Sequence, residues 1–119
     1  MLHFPWLHPE VAAWLVRERQ VKAVGIDTAS IDYGQSTTFE THVALLTQSV
    51  PVFENLSDLR NLPHREFDVI ALPMKISGGT GGPLRVIAVL PPSHQQHPVR
   101  GGWLIARLDD VARQSGGEF

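Results

Sequence analysis

The chain has 119 residues, of which 43% are hydrophobic and 18% charged, and its formal net charge is -2. That balance excludes a disordered chain and the basic footprint of a nucleic-acid or anionic-lipid binder, and a chain of this size buries roughly 65% of its unfolded surface, enough for one core. It contains no cysteine, which removes disulfides, thiolate metal sites and cysteine nucleophiles.

The opening segment, MLHFPWLHPE, has neither a basic region nor a long apolar run, so no signal peptide is expected. No stretch approaches the ~20 apolar residues of a membrane span, and a cytoplasmic location is the default expectation. Pro9 and Glu10 occupy favoured first positions of a helix, and Val11, Trp14 and Leu15 follow as an apolar stripe at helical spacing. Lys22–Ile26, KAVGI, reads as a buried strand ended by Asp27 and Thr28. Residues 29–36 form a loop with a turn signal at Asp32-Tyr33-Gly34. Thr37 and Glu40 have capping-box spacing and place a helix start there, with Phe39, His42, Val43 and Leu46 on one face directed inward. Val50–Phe53 is the next strand, and Pro51 marks it as an edge or a strand start. Strand, helix and strand within about 30 residues make a βαβ pattern.

Asn55–Leu62 reads as a helical turn stopped by Pro63. Phe67–Ile76 and Leu84–Leu90 read as an antiparallel pair joined through the glycine-rich Ser77–Pro83. Residues 91–102, PPSHQQHPVRGG, have linker composition, and Trp103–Gln114 carries Leu104, Leu108, Val111 and Ala112 at helical spacing. The expected division is therefore 1–90 as a domain and 91–119 as a linker with an amphipathic helical tail.

Chemistry-bearing residues are few. Histidine and carboxylate side chains are ordinary ligands for zinc or manganese, and His42 on a helix can converge with Glu54 at the end of the following strand. Taken alone, the pair is a half-buried helix histidine and a surface glutamate. Gly78–Pro83 lacks the Lys-Ser/Thr of a nucleotide-binding loop and reads as a hairpin connection. His94 and His97 lie in a proline-bounded linker, and Ser30 and Ser36 have no matched base.

Several segments occurring in order carry a resemblance. They are VGIDTASI at Val24–Ile31, THVALL at Thr41–Leu46, FENL at Phe53–Leu56, VIALPMKI at Val69–Ile76, GGTGGP at Gly78–Pro83 and LRVIAVL at Leu84–Leu90. Together they resemble the C-terminal half of the cyclase-like metal-dependent hydrolases, which include bacterial kynurenine formamidase and isatin hydrolase, over roughly residues 4 to 90. The resemblance implies a mixed α/β fold with helices packed on a sheet, a truncated form of that family's swivelling β/β/α domain. It implies amide hydrolysis with zinc or manganese, metal ligation by His42 and Glu54, and structural support from Asp27 and Thr28. No catalytic residue is assigned.

The family's N-terminal motif, His-x-Gly-Thr-His-x-Asp-x-Pro-x-His, has no counterpart: His3, His8, His64, His94 and His97 stand in other contexts. A hydrolytic centre takes about three protein ligands and a water, so two are too few. The reading this favours is a non-catalytic, oligomeric small-molecule-binding or interaction module. The alternative is a metal-dependent amide hydrolase whose site is completed between chains, with zinc or manganese weakly held until then. A homo-oligomer, most simply a dimer, is expected because half of a packed domain leaves apolar surface uncovered.

Overall fold

The computed structural model describes residues 2–91 and 103–106. It is a mixed α/β arrangement with helix α1 (Pro9–Arg19), strand β1 (Ala23–Ile26), helix α2 (Glu40–Leu46) and strands β2 (Val52–Phe53), β3 (Asp68–Pro73), β4 (Leu84–Val89) and β5 (Trp103–Ala106). Two compact units result, Met1–Arg60 with Arg100–Phe119, and Asn61–Val99. Strand β5, beyond the boundary expected at residue 90, belongs to the first unit. Among the described residues no helix is long and apolar enough to cross a membrane.

In the first unit β1 pairs in parallel with β2, with Val24 opposite Val52 and Gly25 opposite Phe53, so β1, α2 and β2 form the expected βαβ unit. Pro51 precedes an edge strand, where its missing N–H costs nothing, and its carbonyl accepts from Val24 N–H at 3.0 Å. The other edge of β1 is taken by β5, antiparallel, from Ala23 opposite Ala106 to Ile26 opposite Trp103. Residues 103–106 are therefore a strand where helical spacing predicted the start of a helix. WLIA is aromatic and β-branched, and the open edge of β1 offers it a full ladder. The remainder of the expected tail helix lies outside the described residues.

Both helices begin where a cap is available. His8 Nδ1 accepts from Glu10 N–H at 3.3 Å, with Pro9 inside the first turn of α1. The face of α1 that is buried is Ala12 and Leu15, with Val16 packed beside them. Of the apolar stripe expected on α1, Leu15 is buried, whereas Val11 and Trp14 are exposed, and Arg19 lies over the Trp14 ring at 5.0 Å. The start of α2 also departs from expectation. Its N-cap is Phe39, in a left-handed conformation (φ 51°) without a side-chain cap, and Thr37 plays no part. Ser36 Oγ instead accepts from Phe39 N–H, and the Asp32 carboxylate accepts from Thr41 N–H at 2.8 Å. That start turns α2 so that Thr41 and Leu45 face inward, while Phe39, Val43 and Leu46 are each more than half exposed.

The core joins Leu7, Ala12, Leu15, Val21, Val24, Ile26, Ile31, Leu45 and Val50, so the N-terminal segment, both helices and β1 contribute, and Val52 of β2 packs against it. That segment is held by Leu7 N–H to the Ile31 carbonyl and by the Thr41 hydroxyl to the Leu7 carbonyl. It also crosses Gly34 closely: a Cβ there would lie 2.4 Å from the Leu2 carbonyl oxygen. Gly34→Ala is expected to lift the segment and cost about 1–2 kcal/mol, read as faster amide exchange at residues 2–7 and a lower melting temperature. Unchanged exchange would show that the contact carries no stability.

Residues 55–62 contain turns and bends but no helix. Asp58 Oδ1 accepts from Arg60 N–H at 2.9 Å, and this local bond diverts the backbone from helical pairing. The second unit is the β3–β4 antiparallel hairpin, Asp68 opposite Val89 through Pro73 opposite Leu84. The glycine-rich segment connects its strands, with Gly78 at positive φ. Val69, Ala71, Val86 and Ala88 share its more covered face, and Ile70, Leu72, Ile87 and Val89 its exposed one.

Candidate functional site

Parallel strands β1 and β2 end side by side, and the loops leaving their carboxyl ends form a site where open α/β sheets commonly bind ligands. Glu54 directly follows β2, Asp27 and Thr28 directly follow β1, and His42 lies in the first turns of α2. The chain thus brings His42 and Glu54 together: Nε2 of the imidazole lies 3.2 Å from Glu54 Oε1. Both side chains keep about a quarter of their surface exposed, so the pair is reachable from solvent.

Each partner is anchored from behind. Glu54 Oε1 accepts from Ile31 N–H at 2.9 Å. His42 Nδ1 lies 2.5 Å from Oδ2 of Asp32, a carboxylate that also accepts from Thr41 N–H at 2.8 Å and His42 N–H at 3.3 Å. Asp32 is 2% exposed. Burial by itself pushes its carboxyl up, but the bonds from the His42 ring and from the two backbone N–H groups outweigh it and leave the pKa below the ordinary Asp value. Sequence spacing assigned Asp32 to a turn. Its signal was its position on the loop leaving β1, ten residues before the histidine, but capping a helix from a loop has no fixed spacing.

Asp27 and Thr28 sit in the framework behind these groups. Thr28 Oγ1 donates to the Pro5 and Ser30 carbonyls, and its own carbonyl accepts from Asn55 N–H next to Glu54. Asp27 Oδ2 accepts from Leu59 N–H at 3.3 Å. The two loops are further joined by Leu56 N–H to the Ile26 carbonyl. Two non-glycine residues with positive φ flank the pair: Phe39 before α2, and Asn55 (φ 53°) after Glu54. Left-handed Phe is a costly conformation, and such residues concentrate where surrounding structure holds a functional geometry.

Of the other candidates, Ser30 Oγ accepts from Asp32 N–H, Ser36 caps Phe39, and His8 caps α1, so all three have structural partners. His94 and His97 lie outside the described residues. Among the described residues no group of three or more His, Cys, Asp or Glu side chains is arranged to hold a metal ion. His42 Nε2 and Glu54 Oε1 offer two donors, while the Asp32 carboxylate is committed to the far side of the ring.

Comparison with known proteins gives a consistent picture. Residues 1–33 match the cyclase family model, described as "Putative cyclase". The chain is similar to the kynurenine formamidase of Bordetella petrii, 35% identical over 79 residues, covering 66% of this chain and 37% of that protein. It is 37% identical over 71 residues to the kynurenine formamidase of Paracidovorax citrulli, with 60% of this chain and 32% of the relative covered. For that of Salinibacter ruber the identity is 40% over 67 residues, 56% of this chain and 31% of the relative. The chain thus spans about a third of the length of these curated relatives. No solved structure matches it.

Proposed function

We propose that this chain, related over part of its length to the cyclase-like family, supplies two ligands of a divalent metal centre for amide hydrolysis, His42 Nε2 and Glu54 Oε1. The observation that carries the reading is their 3.2 Å separation with both groups anchored from behind. Two donors bound at about 2.0–2.2 Å to one tetrahedral zinc lie about 3.3–3.6 Å apart, so the pair needs to open only slightly to take zinc, and manganese accepts the same ligand types. A metal held there supplies Lewis acidity toward a carbonyl and acidifies water. The remaining ligands come from outside the described residues: a longer chain, a second copy or a partner. The relatives' name points to a formamide as the substrate class. A non-catalytic, oligomeric binding module is the second reading, favoured by the two-donor count among the described residues.

Native mass spectrometry of untagged, chelator-free protein, titrated with Zn2+ or Mn2+, tests this. The wild-type chain is expected to retain metal and His42→Ala to bind it more than about 100-fold more weakly. Hydrolysis of an aryl formamide, wherever the full ligand set is assembled, is expected to disappear with that change. Equal metal binding by both proteins would overturn the assignment. Metal binding without hydrolysis would favour the second reading.

A further inference from the structure

We propose that Asp32 is a positioning residue: its carboxylate fixes the tautomer and orientation of His42, so that the Nε2 lone pair faces the point shared with Glu54. An ionised carboxylate only accepts hydrogen bonds, so the 2.5 Å contact with Oδ2 requires Nδ1 to be the donor. In a neutral imidazole the other nitrogen is then the acceptor. The same carboxylate takes the His42 backbone N–H, so ring and main chain are held by one group that is itself buried and fixed by Thr41. On the far side Glu54 Oε1 is also an acceptor and is tied by Ile31 N–H. Two acceptors facing each other at 3.2 Å are repulsive unless a proton or a cation lies between them. In the tautomer with its proton on Nδ1, Nε2 and Glu54 Oε1 present two lone pairs to a cation. The identity of that cation rests on the metal-centre reading above; the tautomer does not.

The experiment is nitrogen-15 NMR of histidine-labelled, metal-free protein, whose ring shifts report directly which nitrogen carries the proton, followed by Zn2+ titration calorimetry of the same samples. The wild-type chain is expected to show His42 protonated at Nδ1. Asp32→Asn, which keeps an oxygen for the Thr41 N–H but removes one acceptor, is expected to shift the ring toward the Nε2–H form and weaken Zn2+ by about 10–100-fold. Arg17→Ala, which removes only the exposed pair with Glu18 on α1, is expected to leave the His42 signals and Zn2+ affinity unchanged. A wild-type ring protonated at Nε2 overturns the proposal without any variant having to fold. So does Asp32→Asn with wild-type ring signals. If the tautomer shifts in Asp32→Asn but the wild-type chain takes up no Zn2+, the positioning role stands and the metal-centre reading falls.

Discussion

Leu45→Ala is expected to cost about 3 kcal/mol and the neighbouring Leu46→Ala under about 1 kcal/mol. Leu45 is fully buried among residues of both helices and the sheet, so truncation loses its transfer free energy and leaves a cavity that strands and helices close only in part. Leu46 is half exposed. Domains of this size are stable by about 5–15 kcal/mol, so the first change consumes a large share of the total. Urea unfolding of the two variants, monitored by circular dichroism, measures the difference directly. Equal losses would mean that α2 turns a different face to the core, and the orientation of His42 would have to be redrawn with it.

That comparison tests the step at which sequence pattern and structure part. The strands of the βαβ unit were legible because KAVGI and VPVF are short apolar runs bounded by polar or turn residues, and a buried parallel strand needs nothing more. Helix α1 was legible from Pro9-Glu10, although its buried face was read one position early, at Val11 instead of Ala12. In both helices the packed face pairs a leucine, Leu15 or Leu45, with a smaller residue, Ala12 or Thr41, and the expected apolar stripes included neither of the smaller ones. The hairpin was legible from two β-rich runs around a glycine segment.

Contacts made at a distance were the ones missed. Strand β5 reads as helix by spacing because a four-residue run carries no decisive period, and the edge of β1 decides for it. Thr37-x-x-Glu40 has the spacing of a capping box, but Asp32 and Ser36 cap α2 instead, and the helix starts later. The same contact hid the third member of the candidate site. His42 and Glu54 could be paired from the family resemblance and the βαβ geometry, whereas Asp32 becomes visible only once the loop leaving β1 folds back on α2.

Asp32→Ala is therefore the substitution expected to reach furthest. It strips two helix N–H groups and the His42 ring of one buried acceptor at once, a loss of about 2–4 kcal/mol at neutral pH. The same group sets an acid limit. Its folded pKa lies below the ordinary value of about 3.9, so folding favours the ionised form. The resulting stabilisation is complete above the unfolded value and is lost as the pH falls through the lower folded one. Urea midpoints measured between about pH 5 and 2 should fall less steeply for Asp32→Ala than for the wild-type chain. Asp58 provides the contrast. Hydrogen bonding to Arg60 lowers it to about 2, but that pair lies on the surface. Salt of about 1 M screens a surface pair and leaves a buried one nearly intact. The acid slope that survives high salt in the wild-type chain and disappears in Asp32→Ala is then the part due to the His42 anchor. If the slopes of the two proteins coincide at both ionic strengths, the Asp32 carboxylate does not gain from folding, and the arrangement of ring, helix start and loop is looser than these distances state.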